Sequence, residues 1–261
     1  MPKLKRESGS ERATDVVESL DRGLRLLQAF GAAGGAMTLS DVARLSELPR
    51  ATARRILFTL QRGGFVDSNG KLFRLTPLVL TLAASYLRSN QVVTVLQPVL
   101  DQISVAAQEI SSLAVLDGDD VVFIARASPT RIFTGGVDIG YRLPAFCTAV
   151  GRVLLGHLRD AELKAKLAAM PREPLTPQTV TDPKRLLAAT IADRERGYAL
   201  VDREAEPHFR SIAVPVRRYD DTIVAAINIG AHVDRISIDE MIKRFLPLLQ
   251  DGAASIRSQL L

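Results

Sequence analysis

Apolar residues at Leu20, Leu24, Leu27 and Phe30 recur at helical spacing and predict a helix over 16–30, broken by the GAAGG run at 31–35. A second, shorter helix is expected over 40–45, with Thr38 or Ser40 as its cap and Val42, Ala43 and Leu45 apolar. Ala43 is small where two steeply crossed helices would meet. After a turn at 46–48, Pro49 suits the first position of a third helix, where its missing N–H costs nothing. In that helix Ala53, Ile56, Leu57 and Leu60 fall on one face, and Arg50, Thr52, Arg54, Arg55 and Thr59 lie around the other. Gly63 and Gly64 end it. Residues 65–67 and 72–75 read as strands around Asn69-Gly70, a strong hairpin signal because both residues tolerate positive φ. Two short helices, a tight turn, a helix with a basic N-terminal half and a hairpin directly after it describe a winged helix-turn-helix. In such a unit the second helix enters the major groove of DNA.

Beyond Thr76-Pro77 the apolar run 78–87 reads as a connecting helix of the kind that packs against a partner chain. The pattern then changes. An amphipathic helix is expected over 92–109 with Val95, Val99, Ile103 and Ala106 inward. Strands follow at 113–116 and 121–125, the latter closed by Arg126, and at 132–137. Helices are expected at 149–158 and 161–170, and at 182–196 with Thr181 or Asp182 as cap and Gly197 as stop. Strands at 198–201, 212–217 and 223–229 precede a last helix that Ser237-x-x-Glu240 opens as a capping box. Mixed strands and helices with antiparallel hairpins make this part an α+β domain. The organisation expected is a flexible basic tail (1–15), a winged helix-turn-helix (16–76), a linker helix (77–90) and an α+β effector-binding and oligomerisation domain (91–261).

Charge sharpens this division. Residues 1–90 hold 14 Lys+Arg and 8 Asp+Glu, whereas residues 91–261 hold 20 and 21, so the basic excess lies wholly in the first third. A localised basic excess suits contact with phosphates. With Arg50, Thr52, Arg54, Arg55 and Thr59, the candidate DNA contacts are Ser40, Ala51 and the wing residues Lys71 and Arg74. No stretch approaches ~20 apolar residues and the polar start has no signal-peptide pattern, so no membrane partner and a cytoplasmic location are expected. The single cysteine, Cys147, excludes an internal disulfide.

Candidate chemistry in the second part is sparse. His157, His208 and His232 lack metal-ligand spacing, and no GxGxxG or P-loop occurs, so neither metal nor cofactor is expected. Cys147 with His157 offers a weak covalent-enzyme alternative. Two segments suit a small carboxylate instead. In GYRLPAFCTAVG, at 140–151, Arg142 is a cationic partner, Leu143 lies beside it, and Thr148 to Gly151 start a helix whose free N–H groups attract anions. The second segment is the polar loop 202–211, DREAEPHFRS, which begins at Asp202 and runs into a strand.

The stretch TLSDVARLSELPRATARRILFTLQRGGFVDSNGKLFRLT resembles the DNA-binding domain of the IclR family of bacterial transcription regulators. One departure is Glu47, where that family usually has glycine; at positive φ it carries strain of about 1 kcal/mol. GYRLPAFCTAVGRVLL, GYALVDREAEPHFRSIAVPVRR and VAAINIGAHVDRIS are similar to the family's effector domain, which is GAF- and PAS-like, and are closest to the subgroup controlling protocatechuate and β-ketoadipate catabolism. The resemblance implies an effector seated over Ala149, Val150 and Gly151 and against Phe209, Ser211 and Asn228. His208 and Phe209 stand where the subgroup usually has Gly and Leu. The function implied is a ligand-responsive regulator of aromatic-acid catabolism, leaning to activation. Its partners would be a double-stranded DNA operator and an aromatic acid or β-ketoadipate-type carboxylate, with the protein a homodimer or homotetramer. A constitutive DNA binder whose second domain only oligomerises is the other alternative.

Overall fold

The structure, a computed structural model, describes residues 16–129 and 138–260, which separate into two compact units between Tyr86 and Leu87. The expected tail at 1–15 and strand at 132–137 lie outside the described residues.

In the first unit α1 spans Glu18–Ala33, and Gly34 ends it in the left-handed region at φ 66°. It runs through the first part of the glycine-rich stretch. Its buried side chains are Leu26, Ala29 and Phe30, with Leu27 partly buried; Leu20 and Leu24, expected inside, are exposed. The helix carries two apolar stripes, and the core beside the next two helices takes the later one. Thr38 closes a capping box with Asp41 and starts α2 (Leu39–Leu45). Pro49 caps α3 (Arg50–Arg62) rather than opening it, and Ala53 and Leu57 are buried with Ile56 and Leu60 packed beside them.

Between these helices Glu47 holds φ 55°, while Leu48 is buried and its N–H donates to the Ala43 carbonyl. The positive φ expected of this turn is therefore present on a side chain that disfavours it. Left-handed backbone costs a non-glycine residue roughly 1–2 kcal/mol, and glycine's freer unfolded state returns about 0.4–1 kcal/mol of that. Glu47→Gly is expected to stabilise the first unit by about 1 kcal/mol net, read as a higher urea midpoint for its transition. An unchanged or lower midpoint would show that the Glu47 side chain compensates its own strain.

Strands β1 (Met37–Thr38), β2 (Val66–Ser68) and β3 (Leu72–Leu75) form a sheet in the order β1-β3-β2. At the hairpin tip only Gly70 takes positive φ, at 91°. Asn69 serves through its side chain, whose Oδ1 accepts from the N–H groups of Lys71 and Leu72. Helix α4 (Leu80–Ser89) follows a 3-10 turn and buries none of its side chains.

The second unit opens with α5 (Gln91–Ala107). Of the residues expected inward, Ile103 is buried, Val95 and Val99 pack at the margin of the core and Ala106 is exposed; Leu96, Leu100 and Ala107 complete the buried row. The six-stranded antiparallel sheet has the order β6-β5-β4-β9-β8-β7, built from β4 (Ile110–Asp117), β5 (Asp120–Ala127), β6 (Arg142–Pro144), β7 (Ala199–Asp202), β8 (Phe209–Arg217) and β9 (Ile223–His232). The polar start of β8, expected as loop, is strand because β9 extends to His232 and pairs with it.

Helices α6 (Ala149–Leu155), α7 (Asp160–Ala169) and α8 (Pro183–Arg196, capped by Asp182 and stopped by Gly197) supply one layer over this sheet. The other face carries α5, the short α9 (Ile238–Glu240, with the expected capping box), a π-helical turn and α10 (Leu246–Ser255). The α+β class is as expected. No helix among the described residues is long and apolar enough to cross a membrane.

Candidate functional site

Helix α3 turns Arg50, Ala51, Arg54, Arg55 and Thr59 to solvent, with Thr52 half-buried; Ser40 is exposed on the first turn of α2. Several arginines of this unit are paired with carboxylates: Arg22 with Glu18, Arg25 with Asp21 at 3.1 Å, Arg44 with Asp41 at 3.7 Å and Arg74 with Asp67 at 2.7 Å. Among the described residues no carboxylate forms an ion pair with Arg50, Arg54 or Arg55. The uncompensated charge is thus concentrated on one helix, whose start also carries partial positive charge. Thr59 is committed locally, since its Oγ1 donates to the Arg55 carbonyl. Lys71 is exposed at the wing tip, as the sequence suggested. Arg74 differs: it donates twice to Asp67 across the hairpin, which holds the Asp67 carboxyl below its usual range and neutralises the arginine locally.

In the second unit, side chains paired across antiparallel strands share a face. Ser112 of β4 lies opposite Arg126 of β5 on one side and Asn228 of β9 on the other; Asn228 also faces Ala213, and Ser211 faces Gly230. Ala125 and Ala127 belong to the core under α5, so Arg126 between them points to the opposite face, as does Asn228 between Ile227 and Ile229. That face is the one α6 packs against, across β4, β7, β8 and β9. The Arg126 side chain is 13% exposed and its Nη1 lies 3.0 Å from Asp138 Oδ1. Asn228 is buried, and its Oδ1 has no hydrogen-bond partner among the described residues. The Phe209 ring closes over Gly230, where an added Cβ would stand 2.4 Å from it.

Thr148, Ala149, Val150 and Gly151 are all buried at the start of α6. Thr148 Oγ1 accepts from Gly151 N–H, so part of the helix start is satisfied internally. Gly151 is required by close approach: a Cβ there would lie 2.0 Å from the Ala145 carbonyl oxygen.

Two expected contacts are not brought together with these residues. Arg142 donates to Asp117 and Asp120 at 2.8 and 3.1 Å beside the β4–β5 turn, and Asp117 foremost raises its pKa further. It pairs with Val122, four residues along β5 from Arg126, which is about 13 Å at strand rise. Leu143 beside it is half-buried against the core under α6. Asp202 lies on the α5 side of the sheet, opposite Arg210, whose Nε donates to it at 2.9 Å.

A buried ion pair outside the expected site residues fixes the loop after β7. Arg152 on α6 reaches both carboxylate oxygens of Glu204 at 2.6 and 2.8 Å, with both side chains buried, and donates through Nε to the Phe146 carbonyl. Glu204 also accepts from Val180 N–H, and Thr179 Oγ1 donates to the Glu204 carbonyl. A basic residue on a short helix and a glutamate 52 positions later carry no shared local signal. Cys147 is fully buried beside this pair, and burial, helped by the Glu204 charge, pushes its thiol up to about 12. At neutral pH it stays a thiol, the weakly nucleophilic form. His208 stacks on His232 at 5.7 Å between ring centroids.

Residues 19–70 match the IclR helix-turn-helix domain family, and residues 84–258 match the family described as bacterial transcriptional regulator IclR C-terminal. The chain is 38% identical to the Pca regulon regulatory protein of Pseudomonas putida over 247 residues, 94% of this chain and 85% of that protein. It is 34% identical to the p-hydroxybenzoate hydroxylase transcriptional activator of Acinetobacter baylyi over 253 residues, 95% and 93% of the two chains. Among solved structures, an IclR homolog complexed with 4-hydroxybenzoate from Microbacterium hydrocarbonoxydans superposes with TM-score 0.78 at 26% identity, covering 93% of this chain and 98% of that one.

Proposed function

Because this chain belongs to the IclR family of bacterial transcriptional regulators, we propose that it reads an operator as a homodimer or homotetramer and responds to a small aromatic carboxylate held between α6 and the sheet. The observation that carries the ligand reading is the row Arg126–Ser112–Asn228. A guanidinium and a buried, unpartnered amide oxygen lie two strands apart on one face. Arg126 would take the carboxylate, and a ring hydroxyl would satisfy Asn228. Two relatives named above are tied by name to 4-hydroxybenzoate chemistry, which supports an aromatic acid and regulation, by activation, of its catabolic genes.

A two-fold operator requires at least two copies. The exposed Leu20 and Leu24 of α1, and Leu80, Leu82 and Tyr86 of α4, give a second copy apolar surface to cover. Acting on DNA, the protein would work in the cytoplasm. The ligand would act through its different affinities for two arrangements of the DNA-binding units.

The test is thermal melting with benzoate, 4-hydroxybenzoate, protocatechuate and β-ketoadipate. At least one is expected to raise the melting temperature of the natural protein and of Arg142→Ala. Arg126→Ala should shift that response to more than tenfold higher ligand concentration. A panel with no effect favours the constitutive DNA binder. Loss of response in Arg142→Ala with retention in Arg126→Ala would reverse the carboxylate assignment.

A further inference from the structure

The outward face of α3 has an aromatic residue at its middle. Phe58 is 51% exposed, one position beyond the fully buried Leu57, and about 150° round the helix from the mean direction of the four inward side chains. Arg54 and Arg55 precede it by four and three residues, so both neighbour it on the helix surface. The Arg54 guanidinium lies over its ring at 5.4 Å from the centroid. An exposed phenylalanine among arginines that no described carboxylate pairs is an apolar contact set inside a phosphate-seeking surface. The major groove offers one apolar group for it, the C5-methyl of thymine.

We propose that Phe58 is a specificity-determining residue of the DNA-binding helix: its ring packs on a thymine methyl in the operator while its face holds Arg54 ready for the neighbouring base or phosphate. The ring answers both needs at once, because the edge that meets the methyl leaves the face to the guanidinium. The alternative occupant of this patch, a second copy of the chain, is disfavoured by Arg54 and Arg55 beside the ring, which a like surface would repel.

The experiment uses the full chain and a duplex enriched from a random library by the natural protein. Each thymine of that duplex is replaced in turn by deoxyuridine, which removes the methyl and keeps every hydrogen-bonding group. The natural protein is expected to lose about fourfold in affinity, the worth of one buried methyl, at one thymine and at its symmetry mate. Phe58→Ala should bind the parent duplex several-fold more weakly and be indifferent to uracil at that position, while keeping the natural response elsewhere and the natural salt dependence. Phe58→Leu should keep part of the methyl sensitivity, which guards against a general disturbance of the helix. The proposal is overturned by an enriched site without a thymine, by a natural protein blind to every uracil, or by Phe58→Ala retaining the natural uracil profile. A change in oligomeric state with DNA affinity intact would overturn it equally.

Discussion

Glu204→Ala is expected to remove about 3–5 kcal/mol from the stability of the second unit, because it leaves the Arg152 guanidinium buried without its counter-charge. The natural pair offsets the desolvation of both groups only through its geometry: two short contacts to one carboxylate, plus Phe146 and Val180 as further partners. Asp193 on α8 is a nearby group able to soften the loss. Burial raises its pKa, the charges of Arg196 and Arg152 work against that, and Glu204 adds to it. Removing Glu204 therefore makes the Asp193 carboxylate easier to ionise, and holds the effect toward the lower end of the range. Urea unfolding should show the transition of the second unit at lower denaturant and that of the first unit unmoved. Replacing Arg152 and Glu204 together by Met and Leu is expected to recover most of the loss, since no lone charge remains. Equal midpoints for Glu204→Ala and the natural protein would mean the pair contributes nothing to stability.

Removing Arg50 and Arg54 together is expected to cost about 2–6 kcal/mol of operator binding, the sum of two base-reading contacts of about 1–3 kcal/mol each. That is a loss of roughly 30-fold to more than 10,000-fold. Both side chains are exposed on the first two turns of α3, away from the core that Ala53 and Leu57 hold, so the double variant should melt like the natural protein. Salt titration separates the roles. A base-reading arginine costs affinity for the operator alone. A phosphate contact such as Lys71 on the wing weakens binding to every duplex and lowers the salt slope by about one. A double variant that bound the operator as tightly as the natural protein would remove α3 from the interface.

Much of the first unit was legible because its signals are local. A capping residue, a proline, the helical spacing of Ala53 and Leu57 and the Asn69-Gly70 pair each act within a few residues. Even Glu47, read as a misplaced side chain at a turn wanting glycine, sits at φ 55°. A helix with two apolar stripes is ambiguous from sequence. In α1 and α5 the core takes Phe30 and Ile103 of the expected rows and otherwise the row beside them, because both rows are hydrophobic and only the neighbouring elements decide which is covered.

The second unit marks the boundary more sharply. Its α+β class, most of its elements and its likeness to an effector domain stood in the sequence. Which arginine shares a sheet face with Asn228 did not. Arg142 had the better context, beside a small-residue helix start, but two aspartates that precede it by more than twenty positions occupy it. Arg126 was noted only as a strand end. Simple alternation from Phe123, which packs under α6, would have turned Arg126 to the α5 side. A shift in register between Leu113 and Ala114 inserts one extra residue in β5, leaves Ile124 and Ala125 both on the α5 side, and turns Arg126 over. By itself the sequence determined the two-part organisation and the basic helix, because those rest on periodicity and charge along the chain, while its motifs carried the likeness to the family. Tertiary structure alone decided which arginine shares a sheet face with Asn228 and which buried pair secures the loop after β7, because a bulge and a salt bridge across 52 residues depend on partners that no local pattern announces.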